Sequence, residues 1–205
     1  MNNDTLDFII NRFNVRNKGL IKLDCTRWGT LPRLFKRLGF TVGVEIGIFK
    51  GRFTKYLCKE NLNGKVYGID PYIVYDEYPD HKNQDYLDAV YKEARTRLMP
   101  YKAHFIIDTS MGALKRFADR SIDYVYIDGN HQYEYVKEDL REWSKKVKHG
   151  GIIAGHDYVN GHNGIDFGVR KAVDEWIKEN KISYLFILNK DASTDQMPSW
   201  FFVNP

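Results

Sequence analysis

Val42-Gly-Val-Glu45-Ile-Gly47-Ile-Phe-Lys-Gly51 is a short apolar run that ends on an acid and breaks into glycines. A run of this length, bounded by glycine or polar residues, reads as a buried parallel strand. Three runs downstream share the form: Val66-Tyr-Gly-Ile-Asp70, Tyr124-Val-Tyr-Ile-Asp128 and Ile152-Ile-Ala-Gly-His156-Asp157. Segments of helical period separate them. In an open α/β sheet the ligand crevice lies just beyond the carboxyl ends of the strands. Four acids at four such ends converge on that crevice, and a fold has no need of so many acids on its sheet edge.

Outward from these runs, the apolar pattern predicts strands near 42–47, 65–70, 103–107, 122–128 and 151–156, with helices between them. Leu87, Val90, Tyr91, Ala94 and Leu98 mark one helical face; Tyr133, Val136, Leu140, Trp143 and Val147 mark another, stopped by Gly150-Gly151. A short helix is expected near 111–118, and Val169, Ala172, Val173, Trp176 and Ile177 give a clean apolar helix face. Two closing strands, near 183–188 and 199–204, have no helix between them and are expected to pair antiparallel. The fold class is therefore α/β, a doubly wound, Rossmann-like, mostly parallel sheet with an antiparallel last strand. Residues 1–40 hold two short helical patterns, Leu6-Ile9-Ile10-Phe13 and Leu31-Leu34-Phe35-Leu38, the second with Thr30 as its expected N-cap and Pro32 close behind. They read as an N-terminal helical extension packed on a core domain of 41–205, covering a sheet edge or the mouth of the site.

Composition sets bounds. The 205 residues are 43% hydrophobic and 28% charged, as in a soluble globular chain with one core. The net charge of +4 is spread among interspersed acids and bases, which argues against nucleic acid as partner. Cys25 and Cys58 lack the spacing of a disulfide framework or a zinc site, and no stretch reaches the length of a membrane span. The expected setting is cytoplasmic. Aromatic residues make up 15% of the chain, and Tyr72, Tyr75, Tyr78, Tyr133 and Tyr135 fall after strand ends, where they could line a pocket or form a lid.

Gly47 and Gly51 lie between the first core strand and its helix, where glycine lets the backbone approach a ligand. Asp70 closes the next strand about 20 residues on, the position of an acid that accepts both hydroxyls of a ribose. The pair points to an adenosine-containing cofactor. The spacing is G-x-x-x-G rather than the dinucleotide G-x-G-x-x-G, and an acid inside the turn, Glu45, would repel phosphates. Glu45 suits a cationic ligand such as the amino-acid end of S-adenosylmethionine.

Two further segments carry a resemblance. Ile127-Asp128-Gly129-Asn130-His131-Gln132-Tyr133 and Gly150-Gly151-Ile-Ile-Ala-Gly-His156-Asp157-Tyr158, in this order and followed by Pro198-Ser199-Trp200-Phe201-Phe202, resemble the class I S-adenosylmethionine-dependent methyltransferases. The branch is that with IDGxHxY and GGxxxxHDY segments, and the similarity runs over roughly 40–205. It implies a seven-stranded sheet with the seventh strand antiparallel. It also implies that Glu45 and Gly47 contact the methionine part, with Gly51 in the same turn. Asp70 would hold the ribose, and Asp108, Thr109 and Ser110 would border the adenine with Met111 beside them. Asp108 could instead cap the helix that starts there.

The last two acids face the methyl acceptor. A hydroxyl is a weak nucleophile at neutral pH and needs a general base or a metal that lowers its pKa. Asp128 and Asp157 end strands that are neighbours in this fold, about 4.8 Å apart, so both carboxylates can reach one cation or one hydroxyl. Related metal-dependent O-methyltransferases, of the catechol and macrolide-sugar types, have carboxylates at these two ends. Here Tyr158 stands where the catechol type has Asn, and Asn130 where the sugar type has a second Asp. His131 or His156 could complete a site for Mg²⁺ or Mn²⁺ with Asp128 and Asp157, or His131 could act as base without a metal. The reading is an S-adenosylmethionine-dependent O-methyltransferase acting on a small molecule or glycan, with Asp128, His131 and Asp157 on the acceptor side and Asp128 also near the cofactor. Its N-terminal helices could serve a homo-oligomer. Competing readings are an NAD-linked oxidoreductase, against which the missing glycine and the antiparallel ending argue, and a non-catalytic module of the same fold.

Overall fold

Apolar runs of strand length alternate with amphipathic helices along most of this chain, and a computed structural model describes residues 4–75, 83–162, 165–189 and 197–205. In chain order the elements are α1 (Asp4–Phe13), β1 (Gly19–Leu23), α2 (Arg27–Arg37), β2 (Val42–Ile46), α3 (Arg52–Glu60), β3 (Lys65–Ile69), α4 (Gln84–Leu98), β4 (Ala103–Ile106) and α5 (Ser110–Ala113). After a single 3₁₀ turn come β5 (Ile122–Ile127), α6 (Tyr133–Lys146), β6 (Val147–Gly155), the short ribbon β7 (Gly161–His162) and β8 (Ile165–Asp166), α7 (Val169–Glu179), β9 (Tyr184–Leu188) and β10 (Ser199–Val203).

Eight strands form the main sheet in the order β1-β9-β10-β6-β5-β2-β3-β4. Every pairing is parallel except the two that β10 makes, with β6 on one side and β9 on the other. The chain winds outward from β2 through β3 to β4, then crosses back to β5 and β6. The sheet therefore reverses direction between β2 and β5, and its crevice opens above their carboxyl ends.

Each strand of the sheet centre is apolar on both faces because helices cover both. Val44, Ile46, Val125, Ile127 and Ile153 pack under α5, α6 and α7 with Trp143, Trp200 and Phe202. Tyr124, Tyr126, Ile152, Ala154, Phe186 and Phe201 pack under α1, α2 and α3 with Ile9, Leu31, Leu34, Phe53 and Leu57. Trp143 and Trp200 are fully buried, so these two indoles are core.

The sequence reading differs from the structure in three places. The sheet has eight strands rather than seven, because Gly19–Leu23, between the two N-terminal helices, pairs in parallel with β9. Its Gly-Leu-Ile-Lys-Leu is short and mostly exposed, as an edge strand can be, so it lacks the apolar run that marks a central strand. α2 starts a turn earlier than expected, with Thr26 as N-cap, and carries Pro32 inside it. α6 does not run to Gly150-Gly151; the chain passes from Lys146 directly into β6, and both glycines lie within that strand. A side chain at Gly151 would lie 2.5 Å from the Asp123 carbonyl. Tyr78 lies outside the described residues. Among the described residues no helix is long and apolar enough to cross a membrane, and Cys25 and Cys58 form no disulfide.

Candidate active site

Strand register sorts the four strand-end acids. Ile46 is level with Ile69 of β3 and Ile127 of β5. Asp70 and Asp128 thus follow the last strand residue, and their level on β2 is taken by Gly47. Glu45 lies one residue short of that edge and points to the opposite face from Val44 and Ile46. Its carboxyl is 2% exposed and sits under α3 near Thr54, outside the cleft lining. Burial, opposed by the nearby Thr54 hydroxyl and reinforced by Asp128, pushes its pKa up to about 8. Burial thus favours the neutral form of Glu45, which lies beneath the cleft and not on its lining.

Gly47 has φ +79°, and a Cβ there would lie 2.0 Å from the Asp128 carbonyl oxygen. The turn after β2 crosses directly over the end of β5, an approach open only to glycine. Gly51, the left-handed N-cap of α3, packs on Leu98 of α4 and does not line the cleft. It serves close packing between helices. Asp70 is held from both sides: one carboxylate oxygen accepts the Phe49 N–H at 2.9 Å and the other the Tyr72 N–H at 3.0 Å. The Tyr72 hydroxyl donates back to the Phe49 carbonyl at 2.8 Å. Phe49 and Tyr72 both have positive φ, so the loops after β2 and β3 are stitched together around one carboxylate in strained conformations.

At the β4 end, Thr109 is the N-cap of α5, its side chain accepting the Gly112 N–H at 3.0 Å. Asp108 turns its carboxylate to the Thr109 N–H at 2.9 Å, neither capping α5 nor lining the cleft. Thr109, Ser110 and Met111 do line it. The Ser110 hydroxyl accepts the Trp143 indole N–H at 2.8 Å and donates to Asp139, which sequence reasoning passed over. Burial pushes Asp139 up to about 7, against the hydrogen bond from Ser110.

The third region gathers four titratable groups. His131 Nε2 lies 3.0 Å from Asp157 Oδ2 and 3.7 Å from Asp128 Oδ1. His156 Nδ1 lies 3.2 Å from Asp157 Oδ2 and 3.7 Å from Asp128 Oδ1. Burial alone would raise both carboxyls, but the imidazoles hold Asp157 below the usual carboxylate range, and His156, Arg27 and His131 do the same for Asp128. Asp157 has φ +54°, an unusual conformation for aspartate and one that turns its carboxylate back toward His131. Among the described residues, Asp128, His131 and Asp157 each offer a ligand atom within 4.8 Å of the others, and His156 Nδ1 lies beside the same two carboxylates, so both imidazoles the sequence offered are in reach of the set. Tyr158 leaves the cluster and donates its hydroxyl to Asp174 on α7.

One cleft of about 640 Å³ joins these regions. It runs from Ile69, Asp70 and Met111 past Gly47 to Asp128, His131 and His156, roofed by Ile73, Tyr75 and Tyr135. Arg27, from the first position of α2, also reaches it. No motif points to Arg27. The only available signal was a cation in the first turn of a helix, where it opposes the helix dipole.

A family model described as a methyltransferase domain matches residues 44–158. An uncharacterized protein of Acanthamoeba polyphaga mimivirus is 26% identical over 115 residues, 56% of this chain and 50% of that protein. The match thus spans half the length of that curated relative. Among solved structures, the O-methyltransferase from Bacillus cereus in complex with SAH superposes with a TM-score of 0.65 at 16% identity, covering 98% of this chain and 90% of that one. The O-methyltransferase TomG from Streptomyces achromogenes, involved in tomaymycin synthesis and solved with SAM, gives a TM-score of 0.63 at 13% identity, covering 87% and 80%. At such identities the likeness is one of fold.

Proposed function

Because the chain belongs to the methyltransferase-domain family, we propose that it is an S-adenosylmethionine-dependent enzyme that methylates a hydroxyl group of a small molecule or glycan. The observation that carries this reading is the single cleft that joins an acid suited to a ribose, Asp70, to an imidazole held between two carboxylates. The donor end fits the cofactor. Asp70, its carboxylate oriented by the Phe49 and Tyr72 N–H groups, is the acid for the two ribose hydroxyls. Ile69, Pro71, Ile73, Leu87 and Met111 supply apolar walls for a purine, with Ser110 and Asp139 as polar groups at its edge. The complexes of the two solved relatives with SAH and SAM support the same choice.

When bound, S-adenosylmethionine supplies an electrophilic methyl group. The chain's part is to hold an acceptor oxygen in line with that group and take its proton. His131 is the base in this reading: Asp157 at 3.0 Å fixes its ring, and the two ionised carboxylates stabilise the imidazolium that forms. Buried Asn130 and half-buried Tyr75 screen the site from water, with the exposed Tyr135 at its rim. A second reading rests on the Asp128–His131–Asp157 trio, a donor set suited to Mn²⁺ or, with fewer nitrogen ligands, Mg²⁺. Those three residues would hold the ion, which would lower the pKa of the acceptor hydroxyl.

Calorimetric titration with S-adenosylhomocysteine tests the cofactor. Binding is expected, and its absence, or binding of NAD instead, would refute the reading. Chelation separates the two accounts of the acceptor side: turnover that survives a chelator leaves His131 as base, and turnover lost and restored by Mn²⁺ makes it a ligand.

A further inference from the structure

Arg27 is a misfit in its helix but well fitted to the cleft. It opens α2, which has no acid in its first turn to offset a cation at that end. Its side chain is 11% exposed, with the guanidinium carbon 4.6 Å from the Trp28 ring centre, 5.3 Å from that of Phe53 and 5.8 Å from that of Tyr126. Nη1 donates to Asp128 Oδ2 at 2.8 Å and to the Tyr126 hydroxyl at 2.9 Å. That hydroxyl is also hydrogen-bonded to Ser199 Oγ at 3.0 Å. Asp128 is thus divided. Oδ2 belongs to Arg27, and Oδ1 faces His131 and His156, 3.7 Å from each.

We infer that Arg27 is a resident cation that competes with a divalent metal ion for Asp128 and so sets how weakly the acceptor-side cluster binds metal. The inference rests on the acceptor side of the reading above and gives that side a regulator. A metal ion on Asp128, His131 and Asp157 would lie close to a guanidinium that cannot lose its charge at any working pH. It would also have to share a carboxylate whose negative charge that guanidinium already draws on. Removing the guanidinium leaves Asp128 and Asp157 facing only His131 and His156, a stronger set for Mn²⁺. Arg27 lies outside residues 44–158, so the family's own segment does not supply this charge.

The test is calorimetric titration of the full chain with Mn²⁺, without acceptor. Arg27→Met keeps an apolar stem on Trp28 and removes the charge; Arg27→Gln also removes it but keeps a donor for Asp128, and stands in where Arg27→Met does not fold. Both are expected to bind Mn²⁺ about 10- to 100-fold more tightly than the wild type, the range over which groups bonded to metal ligands tune affinity. Arg27→Lys, which keeps the charge, is expected to stay near the wild type, and Asp128→Asn added to Arg27→Met is expected to abolish the gain. Folded neutral variants that bind Mn²⁺ no more tightly than the wild type, or a gain that survives Asp128→Asn, would overturn the inference. S-adenosylhomocysteine is titrated separately. Failure of that ligand to bind any form would refute the cofactor assignment while the Mn²⁺ comparison still decides the role of Arg27.

Discussion

Gly47 and His131 show how differently single residues matter at one sheet edge. Gly47→Ala puts a methyl group 2.0 Å from the Asp128 carbonyl oxygen, at a backbone angle alanine resists. It is expected to cost about 3 kcal/mol or more in urea-denaturation stability, since the contact is with backbone that cannot rotate away. His131→Ala is expected to do the reverse: little change in stability or in S-adenosylhomocysteine affinity, with turnover down about 10²- to 10⁴-fold, the usual worth of a general base. Equal loss of turnover and of cofactor affinity would move His131 to the donor side. Asp70, Asp128, His131 and Asp157 were legible because each closes an apolar run or lies in a motif, and the structure brings all four to one crevice edge. Glu45 was misjudged because a run of apolar letters does not say on which residue the strand stops; one position decides whether an acid faces the cleft or the core. Arg27 and Asp139 come from helices, and their placement depends on how those helices cross the sheet, which no local pattern records.

At the scale of elements, the caps make a graded test. Thr109→Ala removes the one side-chain bond to the first turn of α5 and is expected to cost about 1 kcal/mol in chemical denaturation. Thr26, at the start of α2, makes no such bond, so Thr26→Ala is expected to cost under about 0.5 kcal/mol. Similar losses at both sites would mean that α2 relies on a cap this geometry lacks. Interior strands and helices were legible because period and length agree when both faces of a sheet are covered. Where that agreement fails, so does the reading: β1 is an edge strand with little to bury, and α6 runs into β6 without a connecting turn. The Gly150-Gly151 pair looked like a helix stop, but Gly151 is required by the Asp123 carbonyl beside it.

For the whole molecule, the buried acids set the pH dependence of folding. Glu45 titrates near 8 in the fold against an ordinary 4.5, and Asp139 near 7 against 3.8. Between those limits the folded chain holds protons that the unfolded chain has released, so stability falls as pH rises toward 8. Asp128 and Asp157 act oppositely: their contribution is present above the ordinary carboxylate range and is lost as pH drops through their depressed values. Glu45→Gln is expected to remove up to about 1.4 kcal/mol of loss per pH unit between pH 5 and 8, leaving the smaller loss due to Asp139. Unfolding free energies at pH 5, 7 and 9 check this, and a constant difference from the wild type would show Glu45 to be ionised in the fold. The position of β10 has a consequence in time. β9 pairs only with β1 and β10 within the sheet, so no backbone ladder joins the β1–β9 pair to the centre until Ser199–Val203 is in place. During synthesis, β2 to β6 can close once Gly155 has left the ribosome. The Leu185–Leu188 segment can then pack its side chains on helices already made, but as a strand it is paired at best in a two-stranded ribbon until the strand that joins it to the sheet emerges. How long that strand edge stays unpaired in a growing chain is set by the pace of translation rather than by the stability of the finished sheet.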